Sequence, residues 1–192
     1  MADETARPDT WQAAFDLIRT RGYERREEPF TLASGQLSHD YIDGKNAIDT
    51  GARLTVVSRA VADLAAIHGI EFDAVGGLTM GADPLAHGIA MVADKAWFSV
   101  RKEQKKRGRE QWVEGHRLTP GTRVLLVDDV ISTGGSTEIA LERIEPLGVT
   151  VTGVIPMVDR GDVAAGRFAG RNIPFVALVT YRDLGIEPIR DV

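Results

Sequence analysis

Two adjacent carboxylates, Asp128 and Asp129, stand near the end of the apolar run Arg123–Val130, which reads RVLLVDDV. Ser132-Thr133-Gly134-Gly135-Ser136-Thr137 follows almost at once. A near-continuous apolar run marks a strand covered on both faces of a parallel sheet. The two acids are therefore delivered to the strand's C-terminal edge, where open α/β sheets bind their ligands. The Ser/Thr/Gly turn leads into a helix whose first N–H groups are unpaired and whose dipole favours an anion. Glycines let backbone amides approach that anion, and the hydroxyls of Thr133, Ser136 and Thr137 add donors. Carboxylates do not suit phosphate, but they suit sugar hydroxyls or a hydrated Mg2+. Together these pieces describe a site for a sugar phosphate. No Gly-Lys-Ser/Thr follows a glycine loop and no GxGxxG is present, which sets aside the P-loop and the dinucleotide fingerprint. The plainer alternative is an ordinary strand–turn–helix with surface acids, but paired acids at a buried strand's end are costly without a use.

A second concentration of chemistry is Arg101–Arg109, RKEQKKRGR, with six basic residues and one acidic. The whole chain carries −5, so this segment at +5 leaves −10 for the remainder. A local cation cluster in an acidic protein points to a small anionic ligand and away from broad nucleic-acid binding. Taken alone the run also fits a solvated loop. The four histidines, His39, His68, His87 and His116, lack metal-ligand spacing, which favours surface or packing roles. With no cysteine, disulfides, thiol catalysis and thiolate metal sites are excluded. No apolar stretch of about eighteen residues occurs, and Met1–Thr10 lacks the pattern of a secretory signal. The expectation is a cytoplasmic protein with no membrane partner.

The elements that must position these residues alternate. Helical spacing appears over Trp11–Arg21, Arg53–His68 (ended by Gly69), Pro84–Ala93 and Thr137–Leu147. Strand-like segments are Phe30–Leu32 and Tyr41–Asp43 around Ser34-Gly35, then Phe72–Gly76, Ala96–Val100, Arg123–Val130, Val149–Val158 and Pro174–Tyr181. This order predicts an α/β fold with a parallel sheet and helices on both faces. One domain over 1–192 is the simplest reading, with an N-terminal flap at about 25–45.

The segment Val124–Thr137 resembles the signature of the type I phosphoribosyltransferases: an apolar strand, Asp-Asp, then a Thr-Gly loop. The resemblance implies that family's fold, with a small N-terminal hood, and phosphoribosyl pyrophosphate (PRPP) as donor. It implies that Asp128 and Asp129 bind the ribose hydroxyls and that Thr133, Gly134, Gly135, Ser136 and Thr137 hold the 5′-phosphate. Val130, Ile131 and Ser132 complete that substrate-binding stretch.

Other segments resemble orotate phosphoribosyltransferase and extend the likeness over most of the chain. Phe30–Gly35 with Ser38 and Tyr41-Ile42-Asp43 resembles its flap, and Gly76–Pro84 its pyrophosphate turn. Arg101–Lys105, with Gly108 and Glu114-Gly115, resembles its catalytic loop. Val158-Asp159-Arg160 resembles the strand end that supplies a base-contacting arginine, and Asp183-Leu184 also fits. Lys105, Arg101 and Asp129 are then the catalytic candidates. Arg101, Lys102 and Lys105 fall to the pyrophosphate and Arg160 to the base, with Arg107 and Tyr41 as further substrate-binding candidates.

The implied reaction is Mg2+-dependent transfer of phosphoribosyl to orotate in pyrimidine biosynthesis. It would be carried out by a homodimer with shared active sites and no resident metal ligands beyond water-bridged Asp128 and Asp129. Three positions depart from the pattern. Ala33 and Gly81 stand where lysines are common, and Arg107 stands where histidine is usual. The first two changes remove cations near anionic substrates, and arginine cannot donate a proton at neutral pH. Another base such as a purine therefore stays open as acceptor. So does a PRPP-sensing regulator, although the retained cationic loop and the acidic chain disfavour it. Packing remains open for Tyr41 and Met80, and a surface role for Arg160.

Overall fold

The computed structural model describes residues 6–31, 35, 37–103 and 112–190. The chain enters through α1 (Trp11–Leu17), extended by a π-helical turn at Ile18–Gly22. A two-stranded antiparallel hood follows, β1 (Tyr23–Thr31) with β2 (Leu37–Ile42). These strands are longer than the segments expected around Ser34-Gly35. The charged run between Tyr23 and Pro29 hides a pattern that only pairing with β2 reveals. After α2 (Gly44–Ala47) and α3 (Gly51–Ile67) come β3 (Ala74–Leu78), α4 (Ala82–Ala93), β4 (Ala96–Val100), β5 (Val113–Gly115) and β6 (Arg123–Ile131). The chain closes with α5 (Gly135–Ile144), a 3-10 turn at Glu145–Leu147, β7 (Thr150–Asp159), α6 (Ala164–Ala169), β8 (Val179–Thr180) and α7 (Tyr181–Leu184).

The main sheet runs β5-β4-β3-β6-β7-β8. All pairings are parallel except β4–β5, which is antiparallel. The sheet is thus mainly parallel, not wholly so, because the chain returns from β4 along the same edge as the short β5. Two consequences of period-2 side-chain alternation explain the apolar run in β6. Leu125 and Val127 face a core built with α1, α3 and α4, while Val124 and Leu126 face a second core built with α5 and α6. All four are essentially unexposed. Pro174–Tyr181 is not one strand: only Val179–Thr180 pairs as β8, and Tyr181 opens α7 under a Thr180–Asp183 capping box. The stretch before β8 still bonds to β7, through the Pro174 carbonyl and the Val176 and Leu178 N–H groups, but as an isolated bridge at Phe175 and not as a continuous strand. Among the described residues no helix is long and apolar enough to cross a membrane.

The chain order leaves β3 to build β4 on one side, and leaves β6 to build β7 on the other. The crevice outside the carboxyl ends of β3 and β6 is therefore the topological switch point of the sheet, where ligands of such folds bind.

Candidate active site

Asp128 and Asp129 occupy that crevice. Asp128 is buried, and burial pushes its carboxyl well above the ordinary range, with the neighbouring Asp129 charge adding to the rise. Its Oδ1 accepts the Asp129 N–H at 3.0 Å, and Asp129 Oδ1 accepts the Val130 N–H at 2.9 Å. The turn after β3 presses against both acids. A β-carbon built on Gly81 would lie 2.6 Å from Asp129 Oδ1 and 2.7 Å from Asp128 Oδ1. A side chain at 81 would therefore make the two carboxylate tips shift, and glycine there is also the loss of a cation. Next to it, Thr79 Oγ1 donates to Asp83 Oδ2 and Ser99 Oγ to Asp83 Oδ1, each at 2.6 Å, which ties the turn to α4 and β4. Met80 is exposed, not a core plug.

A cation reaches the diacid from an element that sequence reasoning passed over. Lys45 Nζ donates to Asp129 Oδ2 at 2.7 Å, and this bond raises the ammonium's pKa above its ordinary value. The short helix α2 delivers it. Asp43 caps that helix by accepting from the Lys45 N–H, and Gly44 packs so closely that a β-carbon there would meet Met157 and Asp129. A lysine beside Asp43 and Gly44 looks like any surface lysine in sequence. Its partner lies 84 residues away, so no local pattern signals it.

The turn after β6 has the geometry its composition implies. Gly134 has φ +86 and caps α5 from the left-handed region, which a residue with a β-carbon adopts only under strain. The first amides of α5 thereby open toward the crevice. Ser136 is exposed and Thr133 half-buried, whereas Thr137 is buried with its hydroxyl unpartnered among the described residues. Ile131 is buried and Val130 packs at the margin of the core.

Arg101 and Lys102 leave the end of β4, two strands from β6, or roughly 10 Å at ordinary strand spacing. Arg101 pairs with Glu114 at 3.3 Å, and Lys102 is exposed. Lys105, Arg107 and Ala33 lie outside the described residues.

Arg160 is only 3% exposed, so it is not a surface arginine. Its guanidinium donates to the Glu187 carbonyl, to Ser38 Oγ at 3.0 Å and to the Asp40 carbonyl at 3.3 Å. It thus joins the end of β7, the hood and the C-terminal segment beside a cavity of about 280 Å³ lined by Arg25, Ser38, His39 and Pro188. Tyr41 meets Phe30 edge-on at 5.5 Å, with the Arg26 guanidinium 4.0 Å over its ring. The structure places it in hood packing.

This geometry matches known proteins closely. The model of the phosphoribosyl transferase domain matches residues 46–165. The chain is 36% identical over 181 residues to orotate phosphoribosyltransferase of Rhodopirellula baltica, covering 90% of this chain and 92% of that one. It is 39% identical over 155 residues to the Methanospirillum hungatei enzyme of the same name, covering 81% and 87%. A solved structure of Mycobacterium tuberculosis orotate phosphoribosyltransferase in complex with 5-phospho-alpha-D-ribosyl 1-diphosphate superposes with a TM-score of 0.76 at 30% identity, covering 93% of this chain and all of that one. With its strand-borne diacid at the switch point and its glycine turn into α5, the chain belongs to the phosphoribosyltransferase family and, within it, to the orotate phosphoribosyltransferases.

Proposed function

We propose that the crevice between β3 and β6 holds PRPP, with Asp128 and Asp129 on the ribose hydroxyls. In this reading the amides of Thr133–Thr137 and the Ser136 hydroxyl hold the 5′-phosphate, and Arg101, Lys102, Lys105 and Arg107 serve the pyrophosphate. The base lies on the side of the hood, where Arg160 fixes Ser38 and the Asp40 carbonyl and Tyr41 stiffens β2. The observation that carries the reading is the contact between the Gly81 turn and the diacid. It brings the turn assigned to pyrophosphate and the acids assigned to ribose into one crevice.

Breaking the C1–O bond builds positive charge on the sugar and negative charge on the departing pyrophosphate. Preorganised cations beside the leaving group lower that barrier because they need no reorganisation as the charge develops. The turn and diacid hold the donor so that the base nitrogen is aligned with C1. Two adjacent carboxylates, with no cage of three or more metal-ligating side chains among the described residues, suit Mg2+ as an ion that keeps waters and shares substrate oxygens. When bound, Mg2+ supplies charge neutralisation to the pyrophosphate. The family resemblance supports a cytoplasmic homodimer with sites shared between subunits. Orotate absorbance followed with PRPP and Mg2+ tests the reading. Rapid loss is expected, whereas no loss alongside turnover of another base would reject orotate as acceptor.

A further inference from the structure

The guanidinium of Arg143, two turns into α5, makes three contacts where the chain leaves β4 and enters β5. It donates to the carbonyl of Arg101 and, at 2.9 Å, to the carbonyl of Lys102. Its carbon lies 4.2 Å over the ring of Trp112. Arg101 and Trp112 are themselves paired, the Arg101 N–H donating to the Trp112 carbonyl at 2.8 Å, just beyond the β4–β5 ladder. The side chain therefore grips the backbone on which Arg101 and Lys102 stand, together with the ring that lies across from it.

The helix that carries Arg143 is the one whose N-terminus forms the phosphate turn. It starts at Gly135, eight residues earlier and roughly 12 Å away along the axis. Pairing with Glu114 sets where the Arg101 side chain goes, but nothing in that pair refers Arg101 to the phosphate turn. Arg143 does. A planar guanidinium suits the task because it can span two carbonyls and stack on an indole at once, which an ammonium cannot.

We propose that Arg143 is a positioning residue for the transfer reaction: it sets Arg101 and Lys102 at a fixed distance from the phosphate turn of α5, with Trp112 as its platform. This rests on the reading of the site given above. Arg143 itself lies outside the substrate contacts proposed there, so its loss acts only through Arg101 and Lys102 and should harm the alignment of charge at the leaving group more than it weakens donor binding.

The test compares Arg143→Met, Arg143→Lys, Trp112→Phe and Trp112→Ala with the wild-type chain. It uses thermal melting, calorimetry with PRPP and Mg2+, and steady-state kinetics. Misplacement by about 1 Å is enough to cost roughly a hundredfold in rate. The expected result is a kcat at least about tenfold lower in Arg143→Met, with a clearly smaller loss of PRPP affinity and a melting temperature well above the assay temperature. Arg143→Lys should not rescue it, Trp112→Phe should stay near wild type, and Trp112→Ala should fall as Arg143→Met does. The Arg143→Met/Trp112→Ala double variant should lose little more, as expected for two parts of one contact.

An unchanged kcat in Arg143→Met, or a kcat that falls only in step with melting temperature and PRPP affinity, would overturn the proposal. Should Arg143→Met not fold, an undiminished kcat in Trp112→Ala overturns it equally. Absence of PRPP heat in the wild type would instead overturn the functional reading, and this proposal with it.

Discussion

Asp129 and Lys45 meet at 2.7 Å beside a buried Asp128, so one ammonium directly offsets the charge of the diacid. On the proposed reading, the diacid without it would face a polyanionic donor uncompensated. Lys45→Met should therefore raise the KM for PRPP by about tenfold through lost electrostatic complementarity. Stability should change by no more than about 1 kcal/mol, as for other ion pairs near the surface. Steady-state kinetics and thermal melting check the two halves of this expectation. On the proposed reading, Asp129→Asn removes a charged acceptor from the reacting sugar. It should lower kcat/KM by roughly a hundredfold, equivalent to about 3 kcal/mol, measurable from orotate absorbance. A lysine restored at 81 would shift the tips of both carboxylates, so it changes the diacid as well as adding a cation.

At the scale of elements, the strand–turn–helix from β6 to α5 depends on the left-handed Gly134. Gly134→Ala would place a β-carbon 3.2 Å from Phe168 Cε2 in a strained conformation. The expected cost is about 1–2 kcal/mol, seen as a lower melting temperature together with weaker PRPP binding by calorimetry. The end of β7 carries a different liability. Burial, with the Asp162 charge adding to it, lifts the Asp159 carboxyl to about 6. The folded state thus holds that proton more tightly than the unfolded chain does. The stability that this one group contributes is then fully present below the ordinary carboxylate pKa and is lost as pH rises through about 6. Asp159→Asn should flatten that fall, and melting curves across this window should show the variant gaining on the wild type.

This strand–turn–helix was legible in sequence because its causes are local: alternation into two cores, acids at an edge, glycine at a left-handed turn. The helices α3 and α4 were legible for the same reason. Lys45 on Asp129, Arg160 on the hood, and Arg143 on Trp112 were not, since each joins residues far apart in the chain. Short pieces such as α2, β5 and α6 carry too few residues for a period to emerge.

Across the whole molecule, the hood is fastened at the end of β7 by Arg160, on Ser38 and the Asp40 carbonyl, and α2 behind the hood is fastened to β6 by Lys45 on Asp129. The expected homodimer adds a further level, with Lys105 acting in the partner's site. Mixing inactive Lys105→Ala with inactive Asp129→Asn chains and allowing dimers to re-form should restore activity toward the statistical share of intact sites. Mixtures that stay inactive while exchanging subunits would place both residues in one chain's site.

The ammonium resting on Asp129 has a consequence for the empty crevice. Two neighbouring acids would push apart there, yet a cation already sits on one of them. The crevice is therefore held in shape before anything enters it, and an incoming molecule is spared the work of gathering the carboxylates.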